Sequence, residues 1–473
     1  MPKSSKTSQK GLTRKPAGKL PEDQIKANFT DMHPPLTDSQ AHIEASRCYF
    51  CYDAPCIKAC PTGIDIPEFI KRIQTGNLKG SARRILEQNI MGGMCARVCP
   101  TEVLCEGACV RNTHEDKPVV IGLLQRYATE AVIEKKVPLF ERETPTDKKI
   151  AVIGAGPAGL SCAHRLALFG HQVTVFDRNE KAGGLNEYGI AAYKALDGIA
   201  QKEVDYILDI GGITIKPKVQ LGVDFTLREL REEYHAVFIA IGLSGVNPGK
   251  IEGDDADGVI DAIRYIRDLR QAKKMSQLPV GERVVVIGGG MTAIDIAVQS
   301  KKLGASEVTI AYRRDEAHMK ASEHERRFAQ INDVKLRFCS SPKSVLSKDG
   351  HVTGIEFDRV RVAQDGRITK TGKSYQLEAD VIFKAIGQTL LTDQLGKAAG
   401  GLSLKNGRLV VNDERKTSLD NVWAGGDCIS GGEDLTVCAV QDGKLAAQSI
   451  HAYLQTLSTP IAHDDEHHQD EDK

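Results

Sequence analysis

Two segments of this 473-residue chain repeat one pattern, and that repeat restricts the fold more than any other feature. The first runs from Lys149 through IAVIGAGPAGLSCAHRLALFGHQVTVFDR to Arg178. The second runs from Arg283 through VVVIGGGMTAIDIAVQSKKLGASEVTIAYRR to Arg314. Each reads as an apolar strand, a glycine-rich turn, a helix and a second strand. Strands that alternate with helices specify a parallel sheet with crossover helices. The expected fold class is therefore α/β, and two such units suggest two dinucleotides.

The first turn is Gly154-Ala-Gly156-Pro157-Ala158-Gly159. Gly154 suits the tight turn, Gly156 lets backbone approach a pyrophosphate, and Gly159 lets the helix pack on the strand. The helix N-terminus favours phosphate charge. Asp177, at the end of the second strand, stands where a carboxylate takes ribose hydroxyls. A glycine turn without a ligand is the alternative. Nearer the C-terminus, NVWAGGDC ends an apolar strand in Gly425, Gly426 and Asp427, a further place for close backbone approach to a cofactor.

The second turn is Gly288-Gly289-Gly290-Met291-Thr292-Ala293, a GxGxxA variant. After its second strand the acidic position holds Tyr312, followed by Arg313 and Arg314. A carboxylate there would hold the 2′-hydroxyl of NAD, whereas arginines suit the additional phosphate of NADP. The expectation is a preference for NADP(H) over NAD(H); a solvated, non-discriminating turn is the alternative.

Eight of the 12 cysteines lie between positions 48 and 109. Their spacing is Cys48-x2-Cys51-x4-Cys56-x3-Cys60-Pro61, then Cys95-x3-Cys99-Pro100-x4-Cys105-x3-Cys109. No secretory signal is apparent, so disulfides are disfavoured and metal is the better explanation. Clustered thiolates followed by proline suit iron–sulfur cubanes. Zinc also takes four thiolates, but only Cys48 and Cys51 form the usual zinc knuckle spacing. On spacing alone the eight cysteines divide into two all-thiolate sites. The surrounding segment reads as helical, with helices at 66–73, 81–89 and 121–134 and a charged linker at 138–149.

Lys+Arg and Asp+Glu both total 63, so the basic excess of a nucleic-acid binder is missing. No apolar run is long enough to span a bilayer. The basic first residues lack a signal-peptide apolar core, and the expected location is the cytoplasm. The acidic, His-rich end is expected to be disordered.

AVIGAGPAGL, GGLNEYGI at 183–190, the strand ending in IAIG at 239–242, VIGGGMTAID, AYRRDEAHM and AGGD resemble the glutamate synthase small-subunit superfamily. The cysteine spacing and APCIKACPTGIDIPEFI at 54–70 resemble the N-terminal half of dihydropyrimidine dehydrogenase and its bacterial flavin and iron–sulfur subunit. The similarity covers roughly 41–454. Composition assigns 1–40 to a disordered basic tail, and the resemblance implies a helical two-cluster domain at 41–145 and a discontinuous FAD domain at 146–278 and 380–456. A nicotinamide domain at 279–379 is inserted between these, and an acidic tail follows at 457–473. By matching motif, one 4Fe-4S cluster would use Cys48, Cys51, Cys56 and Cys109. The other would use Cys60, Cys99, Cys105 and Gln125, which makes Cys95 a non-ligand. FAD contacts carry over to Gly156, Pro157, Ala158, Asp177, Gly184, Leu185, Lys194, Gly426 and Asp427, with Thr436 near the flavin. NADP contacts carry over to Gly290, Thr292, Ala293, Arg313, Arg314 and Lys320. Lys194 and Lys320 occupy places where arginine is the family alternative.

The implied activity is hydride exchange between NAD(P)H and FAD, then electron passage through two 4Fe-4S clusters. The receiver would be a partner FMN-containing subunit that reduces uracil or thymine, or the flow would run in reverse. Hydride transfer requires no protein acid or base, so no catalytic dyad is nominated. The rival readings are a glutamate synthase small subunit, a subunit of a ferredoxin-linked transhydrogenase and, of another class, a non-catalytic zinc scaffold.

Overall fold

The computed structural model describes residues 20–249, 251–395 and 401–457. Its N-terminal region is helical: α1 (Glu22–Asn28), α2 (Asp38–Ser46), α3 (Pro55–Ala59), α4 (Ile66–Gln74), α5 (Leu78–Gln88), α6 (Gly92–Val98) and α7 (Ile121–Ile133). Helix α4 shows why. It buries Ile66, Phe69, Ile70 and Ile73 along one stripe. Asp65 caps it, accepting from the Glu68 amide at 3.1 Å. These side chains pack with Ala41, Ala45, Leu124 and Ala128, and Cys48, Cys56, Cys60, Cys105 and Cys109 lie against the same core.

The chain then alternates through β1 (Lys149–Ile153), α8 (Pro157–Leu168), β2 (Gln172–Asp177), α9 (Leu185–Tyr188), α10 (Ile199–Leu208), β3 (Ile213–Pro217), α11 (Leu227–Glu233) and β4 (Ala236–Ile239). A short strand β5 (Gly245–Val246) leads out to β6 (Val259–Asp261), α12 (Ala262–Gln271), β7 (Arg283–Gly288), α13 (Met291–Lys302), β8 (Glu307–Ala311), α14 (Glu323–Ile331) and β9 (Val334–Arg337). Three longer strands follow, β10 (Ser340–Lys348), β11 (His351–Val362) and β12 (Ile368–Glu378). The remaining elements are β13 (Val381–Ala385), β14 (Gln388–Thr389), β15 (Leu404–Lys405), β16 (Arg408–Leu409), β17 (Val422–Ala424) and α15 (Thr436–Thr456).

Two parallel five-stranded sheets result, ordered β17-β4-β1-β2-β3 and β6-β13-β7-β8-β9, with β10-β11-β12 as an antiparallel sheet beside the second. The first sheet is completed from the far end of the chain: Val422 pairs with Val237 and Trp423 with Phe238. This is the expected α/β architecture, a helical domain followed by two Rossmann-like units, the first discontinuous. Helix α15 crosses α8 so closely that a Cβ at Gly443 would fall 2.1 Å from the Ala158 carbonyl oxygen. The helical layer docks on this unit, with Leu86, Ile90, Met91 and Val132 sharing one core with Val152, Leu160 and Val440.

Three details depart from the sequence reading. Residues 22–40 are not a disordered tail. Helix α1 buries Ile25, Glu22 accepts from the Ser276 amide at 3.0 Å, and Asn28 and Lys302 exchange side chain-to-backbone hydrogen bonds. A helix this short is marginal on its own and forms against a tertiary surface, so its own sequence carries little signal. The second sheet also overruns the 279–379 segment at both ends, taking in β6 and β13. β6 is three half-buried residues, and nothing in either strand's sequence says which sheet it joins. The antiparallel sheet was not anticipated at all. The expectations for 1–19 and 458–473 lie outside the described residues.

Candidate functional site

The flavin cradle. Gly154 adopts φ +108°, and a Cβ there would lie 2.3 Å from the Ala240 carbonyl oxygen, so only glycine makes this turn. Its amide donates to the Phe176 carbonyl at 2.8 Å. Gly156 opens α8 with Pro157 in the first turn and no side-chain cap, leaving first-turn amides for an anion. Gly184 comes against it: a Cβ on Gly184 would stand 2.6 Å from the Gly156 Cα. Asp177 reaches the same turn, its carboxylate accepting from the Ala155 and Asn179 amides at 2.7 Å each.

The C-terminal strand closes the cradle. Gly426 faces the Ala158 Cβ, and its amide donates to Asp442 at 2.8 Å. Burial, then Asp434, push Asp427 up to about 7. Thr436 opens α15, which likewise has no side-chain cap, and its hydroxyl donates to Asn186 on α9 at 2.9 Å. Leu185 on that helix is 38% exposed. Gly154, Gly156, Pro157, Ala158, Gly159, Asp177, Gly184, Leu185, Gly426, Asp427 and Thr436 therefore gather around two uncapped helix starts and a backbone cleft. These residues fit a dinucleotide with a pyrophosphate.

Lys194 stands apart from them. Its ammonium lies 2.9 Å from Asp295 and 2.8 Å from Glu325, both on the second unit. Burial pushes the ammonium down, but Asp295 and Glu325 outweigh it and hold it above its ordinary value.

The second glycine turn. A Cβ on Gly288 would lie 2.3 Å from the Ala385 carbonyl oxygen. Gly290 opens α13 without a side-chain cap, and a Cβ on it would meet nothing within 4 Å. Thr292 and Ala293 lie in that first turn. The Tyr312 ring packs under Gly289 and its hydroxyl donates to the His318 carbonyl at 2.7 Å. Arg313 and Lys320 are exposed, and Arg314 donates through Nε to the Gly366 carbonyl at 3.0 Å. The open turn with cations past β8 fits a second dinucleotide.

The cysteine groups. Cys48, Cys51, Cys56 and Cys109 line one cavity of about 30 Å³ whose other walls include Ile66, Ile70 and Ile121. Burial, then Cys48 and Cys109, push the Cys56 thiol up to about 12. Four half-buried thiols converge on this cavity with Arg111 on its wall, a donor set that suits a cationic metal group, which would hold them as thiolates. Among the described residues no three His, Cys, Asp or Glu side chains converge as a single ion needs; a cubane spreads its ligands more widely. Cys60, Cys99 and Cys105 form the second group. Hydrogen bonding to Cys95, then burial, and then Cys105 and Cys60 raise Cys99. Gln125 is buried rather than an exposed helical residue, and its Nε2 donates to the Gly92 carbonyl at 2.7 Å, fixing the amide. Both thiol groups fit 4Fe-4S clusters.

The groups are ordered in space. Burial, then Glu433, push Cys438 on α15 up to about 12, and Cys95, beside Cys99, lies near enough to add a smaller push in the same direction. Lys444 on α15 donates to the Thr62 carbonyl at 2.9 Å, and Thr62 Oγ1 lies 3.3 Å from Cys60 Sγ. The first group faces outward, with Tyr49 on its cavity wall half exposed and Tyr52 fully exposed.

Residues 148–443 match the pyridine nucleotide-disulphide oxidoreductase family, and residues 25–137 match the family described as dihydropyrimidine dehydrogenase domain II, 4Fe-4S cluster. The chain belongs to the pyridine nucleotide-disulphide oxidoreductase family. It is 34% identical over 429 residues to the NAD-dependent dihydropyrimidine dehydrogenase subunit PreT of Salmonella typhimurium, covering 90% of this chain and 98% of the relative. It is 32% identical over 465 residues to the glutamate synthase [NADPH] small chain of Escherichia coli, covering 94% and 98%. The thioredoxin reductase of T. acidophilum shares the family fold with a TM-score of 0.53 at 21% identity, over 66% of this chain and 100% of that one. FprA from Mycobacterium tuberculosis does so at 0.56 and 19%, over 66% and 85%. This family member is a flavin and iron–sulfur oxidoreductase that works with a nicotinamide dinucleotide.

The sequence reading missed Asp442, which holds the Gly426 amide, and Lys444, which ties α15 to the helical layer. Both are charged residues inside a long apolar helix, and that misfit was the available signal.

Proposed function

We propose that this chain is the electron-input subunit of a dihydropyrimidine dehydrogenase. In this reading 154–159, 177, 184–185, 426–427 and 436 hold FAD, and 288–293 with Arg313, Arg314 and Lys320 hold the dinucleotide, NADP(H) in preference to NAD(H). Cys48, Cys51, Cys56 and Cys109 hold one cluster, and Cys60, Cys99, Cys105 and Gln125 the other. When bound, the flavin supplies hydride exchange with the nicotinamide and the clusters supply single-electron carriage. The protein's contribution is positional. The glycine turns bring two dinucleotides to facing units, and the helical layer holds the half-buried thiol groups in line beside the first of them. The relay would end at an FMN-containing subunit that reduces uracil or thymine at the 5,6 double bond, or the path would run in reverse.

The observation that carries this reading is the order of the thiol groups. One adjoins α15 at the flavin cradle, and the other opens outward beside Tyr49 and Tyr52. A chain that only reduced a soluble small molecule would have no use for such a line. The match to the glutamate synthase small chain supports a second reading in which the same line feeds an amidotransferase subunit. Anaerobic purification from the native host decides between them. An FMN subunit co-purifying with NADPH-dependent uracil reduction supports the first. A large amidotransferase subunit with glutamine-dependent glutamate formation replaces it with the second.

A further inference from the structure

The turn after β8 is held by a segment some fifty residues away. Arg314 uses only its Nε for the Gly366 carbonyl, which leaves the two terminal nitrogens of its fork pointing elsewhere among the described residues. Gly366, at φ +77°, lies at the tip joining β11 to β12, and a Cβ there would sit 3.2 Å from the His318 ring and 3.4 Å from Arg314 Nε. The same tip meets His318. That ring's Nδ1 is 2.6 Å from Asp315 Oδ1 and its Nε2 is 3.2 Å from the Gln364 carbonyl oxygen.

Both partners of the His318 ring are acceptors, so both ring nitrogens must donate, and only imidazolium does that. Asp315, then the Gln364 carbonyl, hold this ring above its ordinary value. The other charged or titratable groups that face it are Arg314 and, on the hairpin tip, Asp365. The main chain is pinned as well: Cys339, in left-handed backbone at φ +54°, donates its amide to the Arg314 carbonyl at 2.9 Å. Strained backbone of this kind persists where its surroundings enforce it.

We propose that the β11–β12 tip and His318 form a clamp that presets Arg314, beside an Arg313 that has no partner among the described residues, for the 2′-phosphate of a nicotinamide dinucleotide. His318 is a positioning residue: its own hydrogens are used by Asp315 and Gln364, so it acts through the turn. The inference rests on the reading that the 288–293 turn holds the dinucleotide. An arginine whose Nε is anchored keeps a terminal pair for bidentate phosphate contact without losing side-chain entropy on binding. Tyr312, committed to Gly289 and the His318 carbonyl, offers no carboxylate to a free 2′-hydroxyl.

The test uses the holoprotein with its flavin spectrum as the check on folding. Affinities for 2′,5′-ADP and 5′-AMP are measured by calorimetry at pH 6 to 9 for wild type, His318→Gln and Gly366→Ala. The glutamine is neutral and cannot donate on both sides, and the alanine presses on the second anchor. Each variant is expected to bind 2′,5′-ADP about tenfold more weakly, a loss of about 1.4 kcal/mol, with 5′-AMP unchanged. The wild-type advantage over His318→Gln should shrink as pH rises, a comparison in which the ligand phosphate's own titration cancels. Equal loss for both ligands, or none for either, overturns the clamp while leaving NADP preference standing. A wild type that binds 2′,5′-ADP no better than 5′-AMP overturns the preference and the clamp together.

Discussion

Lys194 Nζ lies 2.9 Å from Asp295 Oδ1, a buried ion pair between the flavin unit and the nicotinamide unit. Glu325 shares the same ammonium, and Tyr193 donates to the same aspartate at 3.0 Å. Removing one partner of a buried pair strands the other charge and costs roughly 3–5 kcal/mol. Lys194→Met is therefore expected to lower the thermal midpoint sharply and to loosen the nicotinamide unit before the flavin unit. Protease digestion read by mass spectrometry checks the order. A midpoint equal to wild type would show that the pair does not hold the units.

Glu203 sets a pH dependence of stability. Its carboxylate accepts from the Gly93 and Met94 amides at 2.8 and 3.2 Å, yet burial, the larger effect, pushes it up to about 7 from 4.5. Between those values the folded protein holds a proton that the unfolded chain has released. Stability from this group is full below about 4.5 and is lost as pH rises towards 7. The gap is worth up to roughly 3 kcal/mol. Glu203→Gln removes it, so the variant should gain on wild type between pH 5 and pH 8 in urea unfolding. A constant difference would mean the carboxylate is ionised throughout.

Gly159→Ala should abolish flavin binding with little loss of the helical layer. The new Cβ would lie 1.9 Å from the Gly154 carbonyl oxygen, forcing α8 off the turn that it closes. The expected outcome is a purified protein without the flavin band near 450 nm but with iron retained.

The metal ligands can be separated by iron analysis and electron paramagnetic resonance. Cys56→Ala should remove one reduced-cluster signal and leave the other. Gln125→Leu should alter the second signal, whereas Cys95→Ala should leave the iron content near wild type. A loss of iron in Cys95→Ala with none in Gln125→Leu would restore the all-thiolate division.

The strand–turn–helix units at the two glycine turns were legible because their meaning is local: spacing along a few residues fixes strand, turn and helix. What escaped depends on remote partners. Helix α1 needs Ser276 and Lys302. Strands β6 and β13 read like any apolar run until they pair with each other and β13 pairs with β7. Lys194 has the right type for a cofactor contact, but its direction is set by Asp295 and Glu325, more than a hundred residues on. The tip at 363–367 looks like an ordinary turn, and only the folded chain brings it to Arg314.

Gly245 pairs with Thr389 and Val246 with Gln388. The whole second sheet, with its antiparallel attachment, is threaded between these two strands, so the segment starts and finishes one strand spacing apart, about 5 Å. Such a segment is a cassette: it can be lifted out and replaced by another with matching ends while the host sheet keeps its strand order. The replacement must also carry an acidic pair for Lys194 and a seat for α1. Under those terms dinucleotide preference becomes a property of the inserted part, exchangeable without rebuilding the flavin site or the metal-binding layer.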